Sequence, residues 1–163
     1  RKQWVPYSKG GIFRRWYGNH DYVIDWSDDA RDVYATNPTS NLLKARYWFQ
    51  PGITYSDITS GKSHFRYLPA QGVFDKKGPE ICGLGINLNN VLAFLNSSVC
   101  QAYLWLLNPS MTLQVADVKN LPILRAVIEK NSINVITQGC IDQSTVDYDS
   151  FETSWDFKRH PLV

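Results

Sequence analysis

From Lys9 to Gly18 the chain reads Lys-Gly-Gly-Ile-Phe-Arg-Arg-Trp-Tyr-Gly, with Arg1 and Lys2 upstream and no acidic side chain before Asp21. These residue types suit contact with a polyanion. Adjacent Gly10 and Gly11 let a backbone approach phosphates without side-chain obstruction, and Lys9, Arg14 and Arg15 supply charge and forked donors. Trp16 and Tyr17 offer flat faces for bases or sugars. A solvated basic turn leading into a strand whose aromatics are core would leave the same pattern, so Trp16 and Tyr17 either stack on a ligand or pack inside.

A second polar run, Thr54-Tyr55-Ser56 continuing to Ser60, Gly61, Lys62 and Arg66, joins hydroxyls to an amine and a guanidinium. Such residues suit phosphate or groove contact, although serine and threonine are ordinary in loops. The charge distribution points the same way. The net charge is only +2, yet residues 1–66 hold ten Lys/Arg against six Asp, and residues 67–163 hold seven against nine Asp/Glu. Positive charge is therefore concentrated toward the amino-terminal half.

Signals for catalysis within the chain are poor. An adenine methyltransferase loop needs Asn/Asp-Pro-Pro-Tyr/Phe to hold a flipped base, and Asn37-Pro38-Thr39 and Asn108-Pro109-Ser110 lack the second proline and the aromatic. Cys82-Gly83-Leu84-Gly85 is only a two-glycine fragment of a cofactor loop. The three histidines and three cysteines have no metal-ligand spacing, and Asp156-Phe157-Lys158 is too short a match to carry a nuclease. We expect no catalytic residue, cofactor site or metal site here.

The elements that must position the basic residues read as an α+β domain. Phe13 to Tyr17 and Tyr22 to Trp26 predict a hairpin, Asp28 to Tyr34 a short helix, and Asn41 to Tyr47 a further helical turn. Short strands follow around residues 53–62, 65–69 and 72–75. Apolar residues from Leu88 to Leu106 recur at helical spacing and predict one central amphipathic helix over about 89–108, ended by Pro109. Met111, Leu113 and Val115 predict a strand, and Ser132 onward a second long helix. After Cys140 the composition turns acidic and aromatic, with Asp142, Asp147, Asp149, Glu152 and Asp156 beside Tyr148, Phe151 and Trp155. The division expected is a domain over 1–140 and a linker or docking segment over 141–163.

The longest apolar stretch is interrupted by Asn96, Ser97, Ser98 and Gln101, so no membrane span is expected. Three scattered cysteines fit a reducing cytoplasm. The opening Arg1 and the abrupt end at Val163 suggest a piece of a longer protein.

Four segments together resemble a known family: Trp4-Val5-Pro6-Tyr7-Ser8-Lys9-Gly10-Gly11 with Phe13-Arg14-Arg15-Trp16-Tyr17-Gly18-Asn19; Gly52-Ile53-Thr54-Tyr55-Ser56-Asp57-Ile58; Leu106-Leu107-Asn108-Pro109 with Val118-Lys119-Asn120-Leu121-Pro122-Ile123; and Asp149-Ser150-Phe151-Glu152-Thr153-Ser154-Trp155-Asp156-Phe157. In that order they resemble the region downstream of the catalytic domain in the BREX phage-defence adenine-specific DNA methyltransferases and related fused restriction-modification enzymes. The resemblance implies a target-recognition region that contacts double-stranded DNA beside the parent's catalytic domain, while the parent methylates adenine with S-adenosylmethionine. This chain alone is then expected to be inactive. The competing expectation is an interaction scaffold that docks the catalytic domain or another defence subunit without touching DNA. A carbohydrate-binding module, suggested only by the six Trp and nine Tyr, is a third.

Overall fold

The computed structural model describes residues 3–163 apart from Asn41, Ser60, Leu84 and Ile86. The chain forms an α+β domain built on two three-stranded sheets. In chain order these are β1 (Trp4–Ser8), β2 (Tyr22–Asp25), helix α1 (Asp28–Thr36), a 3-10 turn (Ala45–Tyr47), β3 (Gly52–Tyr55), β4 (Phe65–Leu68), β5 (Val73–Phe74) and β6 (Glu80–Cys82). Five helices follow: α2 (Leu88–Leu95), α3 (Ser98–Leu107), α4 (Val115–Lys119), α5 (Arg125–Ile128) and α6 (Asn131–Asp149).

One sheet has the order β2-β1-β5, with β1 antiparallel to β2 and parallel to β5; the other is antiparallel in the order β4-β3-β6. Buried hydroxyls join them, because Ser8 Oγ donates to Thr54 Oγ1 at 3.2 Å and Thr54 Oγ1 donates to the Gly78 carbonyl at 3.2 Å. The main core lies between the second sheet and the helices, where Ile53, Tyr55 and Phe65 meet Val91, Leu92, Leu95, Cys100, Leu104 and Ile141. A smaller core of Val5, Trp26 and Val73 underlies the first sheet.

Tyr22–Asp25 is a strand, as its alternation predicts, but its partner is Trp4–Ser8 rather than Phe13–Tyr17. The backbone explains the difference. Trp16, Gly18 and Asn19 have φ of 71°, 120° and 61°, a run that cannot continue an extended ladder. Of the expected strand only a bridge from Trp16 to Arg66 survives, held by the Trp16 N–H on the Phe65 carbonyl and the Tyr67 N–H on the Trp16 carbonyl.

The central helix also differs from expectation: α2 and α3 are separate and meet at 66°. Asn96 causes the break. Its side chain accepts the Phe65 N–H at 3.1 Å and donates to the Phe65 carbonyl at 2.9 Å, continuing the edge of β4, while Ser97 caps α3 through the Cys100 N–H. The predicted strand over Met111 to Val115 is reduced to a bridge between Ile58 and Thr112, after which α4 begins. Helix α1 starts where expected, with Ser27 accepting the Ala30 N–H and Asp28 and Asp29 in its first turn. The change in composition after Cys140 does not coincide with a break in secondary structure, since α6 runs through it and buries Ile141 and Tyr148. No single helix among the described residues is long and apolar enough to cross a membrane.

Candidate nucleic-acid interface

A cleft of about 760 Å³ opens between the turn after β3, helix α3 and the connection from α3 to α4. Its floor is pinned by the Thr59 N–H on the Met111 carbonyl at 2.9 Å and the Leu113 N–H on the Asp57 carbonyl at 2.7 Å. Asn108 holds the far wall, donating to the Thr112 carbonyl at 2.9 Å and to the Asp117 carboxylate at 2.7 Å. Arg15 and Lys62 bring positive charge to it, and Ser63, Ser98, Gln101 and Ser110 bring hydroxyls and an amide. Trp105 and Met111 add exposed apolar surface, 69% and 60% accessible. No carboxylate lines the cleft among the described residues.

Two cations, several hydrogen-bonding groups and an exposed indole without opposing acid make a surface suited to a polyanion bearing flat rings. Arg15 is half-buried, with its guanidinium 5.6 Å from the Phe13 ring, so it is held in place by packing rather than by an acid. Ser98, Gln101, Trp105 and Asn108 recur at helical spacing along α3 and face the cleft together. In the sequence this stripe is masked by the stronger apolar spacing on the other side of the helix.

Other predicted contact residues do not reach this cleft. Arg14 turns from its neighbour and lies over Tyr148 and Phe151, at 5.1 and 5.9 Å. Lys9 is exposed, with its ammonium 5.7 Å from the Tyr22 ring. Gly10 and Gly11 serve internal packing. A Cβ on Gly10 would stand 2.6 Å from the Lys77 carbonyl oxygen, and the Gly11 N–H already donates to Ser56 Oγ at 3.1 Å. Trp16 and Tyr17 are half-buried. Trp16 packs on the main core, and Tyr17 packs on His20 and Tyr148, with burial and then Asp149 pushing its hydroxyl up to about 12.

Thr54, Tyr55, Ser56 and Arg66 are buried, at 1%, 2%, 6% and 0% exposure, so as folded they present nothing to a duplex. Ser60 lies outside the described residues.

Arg66 heads a buried basic cluster. None of its three guanidinium nitrogens has a hydrogen-bond partner among the described residues, and burial lowers its pKa to about 10. His64 and His20 are held well below their ordinary range, at about 4, by burial first and the Arg66 charge second. His64 Nε2 lies 3.3 Å from Ser56 Oγ, while Tyr148 accepts the His20 N–H and donates to Asp21. Both imidazoles are neutral at neutral pH.

Among the described residues there is no group of three His, Cys, Asp or Glu that would hold a metal. Strand β6, which precedes the Gly83 and Gly85 pair, runs antiparallel to its neighbour, whereas cofactor loops of the nucleotide type leave the ends of parallel strands.

No family model matches the chain. Its sequence is instead similar, from end to end, to a segment of much larger proteins of one class, the adenine-specific methyltransferases. One is the adenine-specific methyltransferase PglX of Lacticaseibacillus casei (strain Zhang), 35% identical over 169 residues, a match covering 99% of this chain and 14% of PglX. Another is the adenine-specific methyltransferase BrxX of Escherichia coli O9:H4 (strain HS), 30% identical over 164 residues, covering 99% of this chain and 13% of BrxX. The chain thus spans only about one-seventh of the length of the curated relatives it matches. These matches bear out the resemblance of the whole chain to the BREX group of PglX-type methyltransferases.

Proposed function

We propose that this chain is the DNA target-recognition segment of an adenine-specific DNA methyltransferase, lying downstream of a catalytic domain that carries the S-adenosylmethionine site. The observation that carries this reading is the acid-free cleft lined by Arg15, Lys62, the polar stripe of α3 and Trp105. An enzyme that flips a base needs a second surface to hold the duplex, and such a cleft supplies phosphate neutralisation, groove hydrogen bonding and a stacking face in one place. The chain contributes binding and not chemistry.

The test is fluorescence anisotropy of the chain on duplex DNA across a salt series. Each neutralised phosphate contributes about −0.9 to the logarithmic salt slope, so Arg15→Ala with Lys62→Ala flattens the slope by about 1.8 units. Binding that ignores both salt and the double substitution contradicts the reading.

A second surface favours docking as well. Val99, Tyr103 and Leu106 form an apolar stripe on α3, exposed at 58%, 42% and 78%. We read it as the face that meets the parent's catalytic domain. If docking is the whole function, Leu106→Asp abolishes co-purification with the remaining parent chain, and the isolated segment shows no DNA binding.

A further inference from the structure

A second cavity, about 240 Å³, shares no lining residue with the cleft and is built on the β2-β1-β5 sheet. Its walls include five aromatic rings: Tyr7 of β1, Trp26 after β2, Tyr34 of α1, Trp48, and Phe74 of β5. Asp75 is the one charged residue among its described lining residues.

Three of the five rings are held by contacts of their own. Tyr34 donates its hydroxyl to the Asp25 carbonyl at 3.1 Å, and Trp48 donates its indole N–H to the Leu43 carbonyl at 2.8 Å. Trp26 stands nearly perpendicular to Trp48, at 86° with centroids 5.0 Å apart. Asp75 is held by its own N–H on the Ser8 carbonyl and by the Lys77 N–H on its Oδ1 at 3.3 Å. Arg31, 5.9 Å from the Trp48 ring, is ion-paired with Asp28 and so leaves the local balance unchanged. Burial first and then Asp75 push the Tyr7 hydroxyl upward, so it stays protonated beside that carboxyl group.

Five aromatic side chains gathered around one carboxylate attract a desolvated organic cation, whereas a neutral apolar ligand would leave the half-buried carboxylate unmatched. We infer that the cage of Tyr7, Trp26, Tyr34, Trp48 and Phe74 with Asp75 is a binding site for an organic cation of the alkylammonium class. The source is either a lysine side chain on a partner polypeptide or a free amine. The inference does not depend on the DNA reading.

The test follows the indole N–H resonances of the labelled 163-residue chain, with Trp105 as an internal control and Trp48→Phe to assign the cage signals. Tetramethylammonium and n-butylammonium are expected to shift Trp26 and Trp48 saturably while neutral tert-butanol does not. Asp75→Asn is expected to weaken both ammonium ions at least tenfold. Should that variant not fold, Tyr34→Leu on the exposed helix α1 is expected to weaken tetramethylammonium by a similar factor. A Gly-Lys-Gly peptide binding more tightly than n-butylammonium identifies a polypeptide source, and the reverse order identifies a free amine. Equal effects of tert-butanol and tetramethylammonium, full affinity in the folded variants, or no saturable shift would overturn the inference.

Discussion

The buried ionisable groups predict a stability optimum near pH 6.5 with slopes of opposite sign on either side. His20 and His64 have folded pKa values near 4 against an ordinary 6.5, so between those values the unfolded chain binds protons that the folded chain refuses. Each histidine therefore makes stability rise with pH by about 1.4 kcal/mol per unit across that window, and nothing above it. Glu80 acts in the other direction. Burial raises its carboxyl from 4.5 to about 8, so the folded chain holds a proton the unfolded chain has released, and stability falls by about 1.4 kcal/mol per unit as pH climbs through that range. Between pH 4.5 and 6.5 two rising contributions and one falling one leave a net rise of about 1.4 kcal/mol per unit; from 6.5 to 8 only the fall remains, about 2 kcal/mol in total.

Glu80→Gln separates the contributions, because it removes the titration while keeping the shape. The variant should double the acid-side slope and abolish the decline above pH 6.5. Urea unfolding followed by tryptophan fluorescence at pH 5, 6.5 and 8 measures both, with the denaturant slope checked for constancy. A wild-type plateau from pH 5 to 8, or a Gln variant that tracks the wild type, refutes this reading of the interior.

The break between α2 and α3 depends on Asn96, so Asn96→Ala leaves the Phe65 N–H without its acceptor in the core, while the Phe65 carbonyl keeps only the Trp16 N–H, and should cost about 2 to 4 kcal/mol by thermal or urea unfolding. Leu95, 1% exposed beside it, should lose a similar amount on Leu95→Ala, and Leu95→Asp should prevent folding, as judged by circular dichroism. Gly52→Ala should also destabilise, because the added Cβ would stand 2.8 Å from the Ile81 carbonyl oxygen and 2.3 Å from Glu80 Oε1; differential scanning fluorimetry would show a lowered Tm.

How far the sequence reveals this protein depends on whether a signal is local. Helix α1 was legible because Ser27, Asp28 and Asp29 form a start signal in consecutive residues. The turn between α2 and α3 was not, because apolar spacing runs on through Val99 and Ala102, and the bend is imposed by a hydrogen-bonded pair 31 residues apart. The site divided along the same line. Arg15 and Lys62 do meet in one cleft, but Arg66, Thr54 and Tyr55 point inward because β3 and β4 are covered on both faces, which a run of hydroxyls and strand formers does not announce. Gln101, Trp105 and Asn108 line the same cleft, but the apolar spacing on the opposite side of their helix is the stronger pattern and conceals them.

The most direct measurement of the central claim places a photo-crosslinking benzoylphenylalanine at position 105, in the cleft, and in a second protein at Val33, exposed on α1 and outside it. With duplex DNA, irradiation should join the nucleic acid to the chain from position 105 and not from position 33, and Arg15→Ala with Lys62→Ala should suppress the product. Equal crosslinking from both positions, or none from position 105 while the duplex is demonstrably bound, would contradict the assignment of this cleft to DNA.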